Sequence, residues 1–358
     1  MSQTLKRNRL PLLGIAMFAL LAAMWAGLLR MGWRIPPLQP TLAAAHGPLM
    51  ISGFLGTLIG IERAVGLGLK WTYISPILTG LGGLALVLGL PGPVGAVLIT
   101  LGSLALVAVF VAIVRLQPLL HSYVMAVAAA AWFGGNLLWL FGLSISTLAP
   151  WWAGFLILTI AGERLELSRL LFLSRASRTA FVAAAALFFV GLGLVIPFYS
   201  LGWRVSGAGM VAIALWLLRH DVARRTIRAE GLTRFIAICM LSGYVWLAAG
   251  GLMALAYGFL FGGPYDAVLH AIFLGFTFSM IFGHAPIIFP AVLGVQMPFR
   301  SFFYSHLVLL HLSLLLRVGA GLTDWLPGRL WGSMINVIAL LLFLANTVAA
   351  VRLARRPA

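Results

Sequence analysis

Seven histidines and seven acidic residues are scattered through 358 residues, 62% of which are hydrophobic. Two of the histidines, His46 and His270, each open a long apolar run, and with runs alternating in direction both fall on the external side. At about 1.5 Å of rise per residue their rings then lie at similar depth. Two imidazoles at one depth on facing helices can hold a six-coordinate haem iron, one from each axial side. The same side chains could instead be interfacial histidines that hydrogen-bond among lipid headgroups.

Other polar residues inside apolar runs need a reason too, because a charge in lipid costs about 2.5–3.5 kcal/mol or more. His284, His306 and His311 lie close in sequence and could hold a second metal, iron, copper or zinc, in the cytoplasmic half. Hydrogen bonding between helices is the blander account. Glu62, Glu163 and His284 could form a proton-carrying ring, or the carboxylates could be neutralised by Arg63 and Arg164, with Glu166 alongside. His121 and His220 border loops next to Gln117, Arg219 and Asp221 and read as solvated interface residues. Arg317 and Arg329 flank an external loop, where a guanidinium can grip a carboxylate through two parallel hydrogen bonds.

The elements that must position these groups are membrane helices. Only 9% of residues are charged and the mean hydropathy is +1.08, a composition for lipid rather than water. Spans are expected near 10–30, 43–65, 72–91, 94–115, 119–143, 151–172, 179–199, 205–220, 234–258, 266–292, 302–321 and 331–351. The fold class is all-α, a polytopic membrane protein of about twelve transmembrane helices in one integral membrane domain, 1–358. The net charge of +17 does not imply nucleic acid, since the basic residues sit between apolar runs without a nucleic-acid module. With the N-terminus cytoplasmic, only Arg30, Arg34, Arg204, Arg317 and Arg329 of the 24 basic residues are external. That asymmetry predicts both termini on the cytoplasmic side of an inner membrane. Lys6, Arg7 and Arg9 ahead of Leu10 read as the flank of an uncleaved first helix. The single cysteine, Cys239, lies in an apolar run and excludes a disulfide framework or thiolate metal site.

An internal repeat organises the spans. Gly53-Phe54, Gly154-Phe155 and Gly275-Phe276 each precede a polar residue, Glu62, Glu163 and His284, with nine residues from glycine to polar group in every case. The preceding spans carry Trp25, Trp132 and Trp246. The chain therefore reads as three copies of a four-helix unit, about 1–117, 118–230 and 231–358. The second helix of each set is the one expected to line the interior. Trp25, Trp71, Trp151, Trp152, Trp203, Trp325 and Trp331 fall near span ends and read as an aromatic belt. Pro286 and Pro290 should kink the tenth span.

The stretch His46-Gly47-Pro48-Leu49-Met50-Ile51-Ser52-Gly53-Phe54 resembles the second helix of haem–copper oxidase subunit I and its nitric-oxide-reductase relatives. There a histidine followed by Gly-x-Leu-Met is a low-spin haem ligand. The run from His270 through Gly283 to Phe289-Pro290 resembles that family's tenth helix. The resemblance implies twelve helices, haem b on His46 and His270, and arginines such as Arg317 and Arg329 near the propionates. It departs from the family where a high-spin ligand would stand, at Val268, and in the absence of histidine from the sixth and seventh spans, which removes the copper ligands. The chain is thus similar to a reduced relative such as the NnrS family of haem- and copper-containing membrane proteins. The expected function is haem b binding with electron transfer or nitric-oxide-related redox or sensing, with a quinol or a membrane protein as redox partner and copper as a further candidate metal. A proton-coupled transporter using Glu62, Glu163 and His284, or a structural subunit, are the competing expectations.

Overall fold

The computed structural model describes residues 9–168 and 173–354, so Lys6, Arg7, the end of the sixth expected span and the last basic residues lie outside the described residues. Helix is the regular structure throughout, with no strand among the described residues. Twelve main helices follow in chain order. They are α1 Leu10–Met31, α2 Leu42–Leu67, α3 Ile74–Val87, α4 Val94–Leu116, α5 Leu120–Leu140 and α6 Ile145–Leu167, then α7 Arg175–Leu194, α8 Tyr199–His220, α9 Gly231–Tyr257, α10 Gly262–Val292, α11 Phe303–Leu322 and α12 Leu326–Ala354. Eleven of them are long and apolar enough to cross a bilayer. In lipid, helix is the form that lets a single segment satisfy all of its own backbone groups.

The exception is α3, whose 14 residues rise only about 21 Å. A 3₁₀ turn, Lys70–Tyr73, precedes it. The positive φ of Gly89 (64°) and Gly92 (69°) around Pro91 turns the chain soon after its end. Of the eleven long helices, α2, α6 and α10 are the most enclosed. In their most apolar stretches 67%, 72% and 67% of residues are buried, against 28–56% elsewhere. These are the second members of the expected four-helix sets.

Two compact units make up the chain, Met1–Phe155 with Ala291–Gly294, and Leu156–Pro290 with Val295–Ala358. In the first, α2 approaches α3 through Gly53 and Gly83, where a Cβ on Gly83 would stand 2.9 Å from the Gly53 Cα. In the second, α8 meets α9 through Gly207 and Gly251, and a Cβ on Gly207 would stand 2.6 Å from the Gly251 carbonyl oxygen. Small residues allow such close backbone contact, which drives helix association where no hydrophobic effect acts between helices.

Both α2 and α10 widen into π-helix, over Leu49–Gly56 and Ala271–Phe278. Each π segment contains the Gly-Phe pair of its repeat. In α10 the Thr277 hydroxyl donates to the Ile272 carbonyl, five residues back, at 3.2 Å. The helix α6 carries the third Gly-Phe pair without such a segment. π-Segments of this kind are frequent at functional sites. Pro286 and Pro290 are accommodated within the continuing helix of α10.

The aromatic belt is only partly as expected. Trp71, Trp325 and Trp331 are exposed, but Trp152 and Trp203 are fully buried. Trp152 is drawn inward because its indole N–H donates to the Asn136 side-chain oxygen at 3.0 Å. Trp132 of α5 is likewise buried, stacked on Phe155 with ring centroids 4.5 Å apart and donating to Ser52 at 3.1 Å.

Candidate functional site

The first turns of α10 place Asp266 and His270 four residues apart, hence on one face. His270 Nδ1 lies 2.8 Å from the Asp266 carbonyl oxygen and 3.2 Å from its carboxylate Oδ1. Neither oxygen has a hydrogen to give, so Nδ1 carries the proton and donates. When the ring is neutral the lone pair is therefore on Nε2, the state in which imidazole ligates a metal. Arg317 of α11 grips the same carboxylate from the other side, Nε to Oδ2 and Nη2 to Oδ1, both at 2.8 Å. Its Nη1 reaches the Asn336 side-chain oxygen on α12 at 3.4 Å, and the Asn336 amide donates to Ser313 at 2.7 Å. The side chains of His270, Asp266 and Arg317 are 16%, 13% and 8% exposed, so the cluster is largely withdrawn from solvent.

In the other unit, His46 reproduces this tautomer by different means. Its Nδ1 lies 2.8 Å from the Ala23 carbonyl oxygen of α1. Gly27, one turn further along α1, makes room for the ring, since a Cβ there would stand 2.9 Å from Cε1 and Nδ1. His284 behaves alike, with Nδ1 2.8 Å from the Met280 carbonyl oxygen. Carbonyl-tethered Nδ1–H groups of this kind orient metal-ligating histidines and raise their basicity.

His306 and His311 have the opposite protonation. The Asn346 amide nitrogen stands 3.0 Å from His306 Nδ1 and also donates to the Phe302 carbonyl, so it is a donor and Nδ1 must accept. The His306 proton therefore sits on Nε2, which is buried without a hydrogen-bond partner. It is surrounded by Phe282, Phe343, Phe303 and Phe235, with centroids 4.6 to 6.1 Å away. His311 Nδ1 accepts from the Trp246 indole at 3.0 Å, and its Nε2 bonds to the Ser242 hydroxyl at 3.0 Å. Both nitrogens of His311 are engaged in joining α9 to α11. Among the described residues no group of three or more His, Cys, Asp or Glu is placed to hold a metal ion.

The remaining candidates fall as follows. Glu62 is one-third exposed and lies 3.7 Å from the Arg63 guanidinium, a loose pair. Glu163 is half-buried on α6. Arg164, expected beside Glu163, has Asp221 as an ion-pair partner. It is buried in a two-point bond to Asp221, at 2.6 and 2.7 Å. Asp221 accepts in addition from the Tyr244 hydroxyl at 2.9 Å and the Ala223 N–H at 2.7 Å. His121 is buried rather than solvated, and His220 is half-buried and stacked on Trp216. Arg329, at the start of α12, has a buried Nε with no hydrogen-bond partner.

The chain belongs to the family described as Domain of unknown function (DUF8744). The match runs over residues 9–352 and so takes in every helix that carries these histidines. No curated protein matches the chain. Sequence reasoning had not singled out Asp266, although its spacing of four from His270 was the available signal. Asn336 and Ser313 left no comparable mark, because they reach Arg317 only through the packing of α11 and α12.

Proposed function

We propose that this multi-pass membrane protein binds haem b and serves electron transfer or nitric-oxide-related redox or sensing. His270, and His46 as its counterpart on α2, are the imidazole donors in this reading. The observation that carries it is the Nδ1–H of His270 tethered to Asp266, which presents Nε2 as the ligating nitrogen. The Nδ1 of His46 tethered to Ala23 supports it further. The donor chemistry of both residues fits a haem iron. The two arginines expected at the propionates differ in fitness for that role. Arg317 is already committed to Asp266 by two hydrogen bonds, whereas Arg329 retains a buried donor without a partner, so Arg329 is the better propionate partner.

When bound, haem b supplies reversible one-electron chemistry. The protein's part is to hold the imidazoles in one tautomer, to keep the cluster out of water and to fix its charge. A membrane quinol or another membrane protein is the natural electron partner in this reading, and the proposed setting is the inner membrane with both termini cytoplasmic.

The test is an absorption spectrum of the detergent-purified protein from haem-replete cells. A reduced haem b band is expected in the wild type, lost in His270→Ala and in His46→Ala and retained in Glu62→Gln and His311→Ala. A colourless wild-type preparation would overturn the reading.

A further inference from the structure

We infer that Asp266 and Arg317 form a charge-setting pair behind His270, tuning the electron affinity of whatever iron that imidazole holds; the inference rests on the haem reading above. The geometry is that of a three-member chain. The Nδ1–H of His270 faces the Asp266 carbonyl and carboxylate, and both oxygens of that carboxylate are simultaneously taken by Arg317. A carboxylate that accepts from Nδ1–H pulls the proton away from the ring and makes Nε2 a stronger electron donor. Stronger donation favours the oxidised iron and lowers its midpoint potential. Arg317 opposes this by drawing charge out of the same carboxylate.

The two residues therefore act with opposite sign on one atom. Asn336 and Ser313 are the positioning groups that hold Arg317 in its bidentate pose. This role is separable from simple bracing of the α10, α11 and α12 interface, because a brace has no sign. Loss of either partner of a mere brace would lower stability, since one buried charge is left unmatched, and would leave the midpoint where it was.

The experiment is a spectroelectrochemical titration of the purified full-length protein with three substitutions. Asp266→Asn keeps the shape and removes the charge, so the midpoint should rise. Arg317→Gln leaves the carboxylate unopposed, so the midpoint should fall. A tenfold change in the ratio of reduced to oxidised protein at fixed potential, about 59 mV for one electron, is the expected scale in each direction. Ser313→Ala, a mild change that loosens Asn336 and through it Arg317, should shift in the Arg317→Gln direction by a smaller amount. It keeps the test decisive if either charge variant fails to fold.

Opposite shifts in the two charge variants, or the downward shift in Ser313→Ala alone, support the pair. Shifts of one sign in both, or unchanged potentials at wild-type haem content, overturn it while leaving the haem reading intact. A wild-type protein without haem overturns the haem reading, and this inference with it.

Discussion

Two buried aspartate–arginine pairs in the same unit use the same bidentate chemistry to different ends. Asp221 and Arg164 are 0% and 4% exposed, and the carboxylate takes four donors, two from Arg164, one from Tyr244 and one from the Ala223 backbone. Every one of those partners belongs to the frame, linking α6, the α8–α9 connection and α9. Asp266 and Arg317 are slightly more open at 13% and 8%, and the further neighbour of that carboxylate is an imidazole. What separates a lock from a site is thus the identity of the last partner on the carboxylate. A buried pair whose lone pairs all end on the frame holds helices. One that ends on a histidine can pass its charge to whatever the histidine touches.

The largest expected effect lies in the lock. Asp221→Ala leaves Arg164 charged and unpaired in the interior and should cost about 3–5 kcal/mol, read as a lowered melting temperature in detergent. Replacing both members by apolar groups of similar size, Arg164→Met with Asp221→Leu, should restore most of that loss, since buried ion pairs are often no more stable than a packed apolar substitute. At the other pair the single replacement Asp266→Asn, which removes one of two opposing influences on His270, should displace the haem midpoint upward from wild type. If the Asp221 and Arg164 double variant displaced the midpoint just as far, the distinction between lock and site would collapse.

Next in size is the contrast between histidines of opposite tautomer. His311→Ala strands the Trp246 indole N–H, which had His311 Nδ1 as acceptor, in an apolar setting. A buried donor left unmatched costs about 1–3 kcal/mol, while the absorption band should stay unchanged. Loss of the band in His311→Ala, with thermal stability intact, would place a ligand where the hydrogen bonding leaves no lone pair available. Differential scanning fluorimetry and a spectrum on the same sample separate the two results.

Much of this architecture was legible in residue types, because lipid removes alternatives: a run of apolar residues long enough to span must be helical. The twelve helices stand where hydropathy puts them, and the nine-residue interval from Gly-Phe to Glu62, Glu163 and His284 marks the three most enclosed of the long helices. The short α3 was not legible, because its sequence is as apolar as a full span and only the Gly89–Gly92 turn truncates it. Asp221 drew no reading of its own for a physical reason. A charged residue at a helix end is ordinarily solvated, and the partners that bury it, Arg164 and Tyr244, are 57 and 23 positions away. Tautomers are harder still. Whether a histidine is a ligand or a donor depends on which atom of a neighbouring residue faces Nδ1, and the same letter in the sequence covers both His270 and His306.

His306 gives the smallest and most discriminating prediction. Its Nε2–H is buried among phenyl rings with no conventional acceptor, and its one conventional bond is accepted from Asn346. Asn346 has other acceptors, the Phe302 carbonyl at 3.2 Å and the Ser305 hydroxyl at 3.1 Å, so it is not orphaned when the imidazole is removed. His306→Phe would exchange an unsatisfied donor for a ring that matches its surroundings. The loss of one hydrogen bond and the relief of one buried donor are each worth about 1 kcal/mol, so the two nearly cancel. The melting temperature should move little in either direction and the haem band should persist. His306→Gln keeps a polar group in the same aromatic box without the ring and should be the less stable of the two. A His306→Phe protein that folded well but lost its spectrum would show that the nitrogen turned toward the phenyl rings meets a cofactor after all.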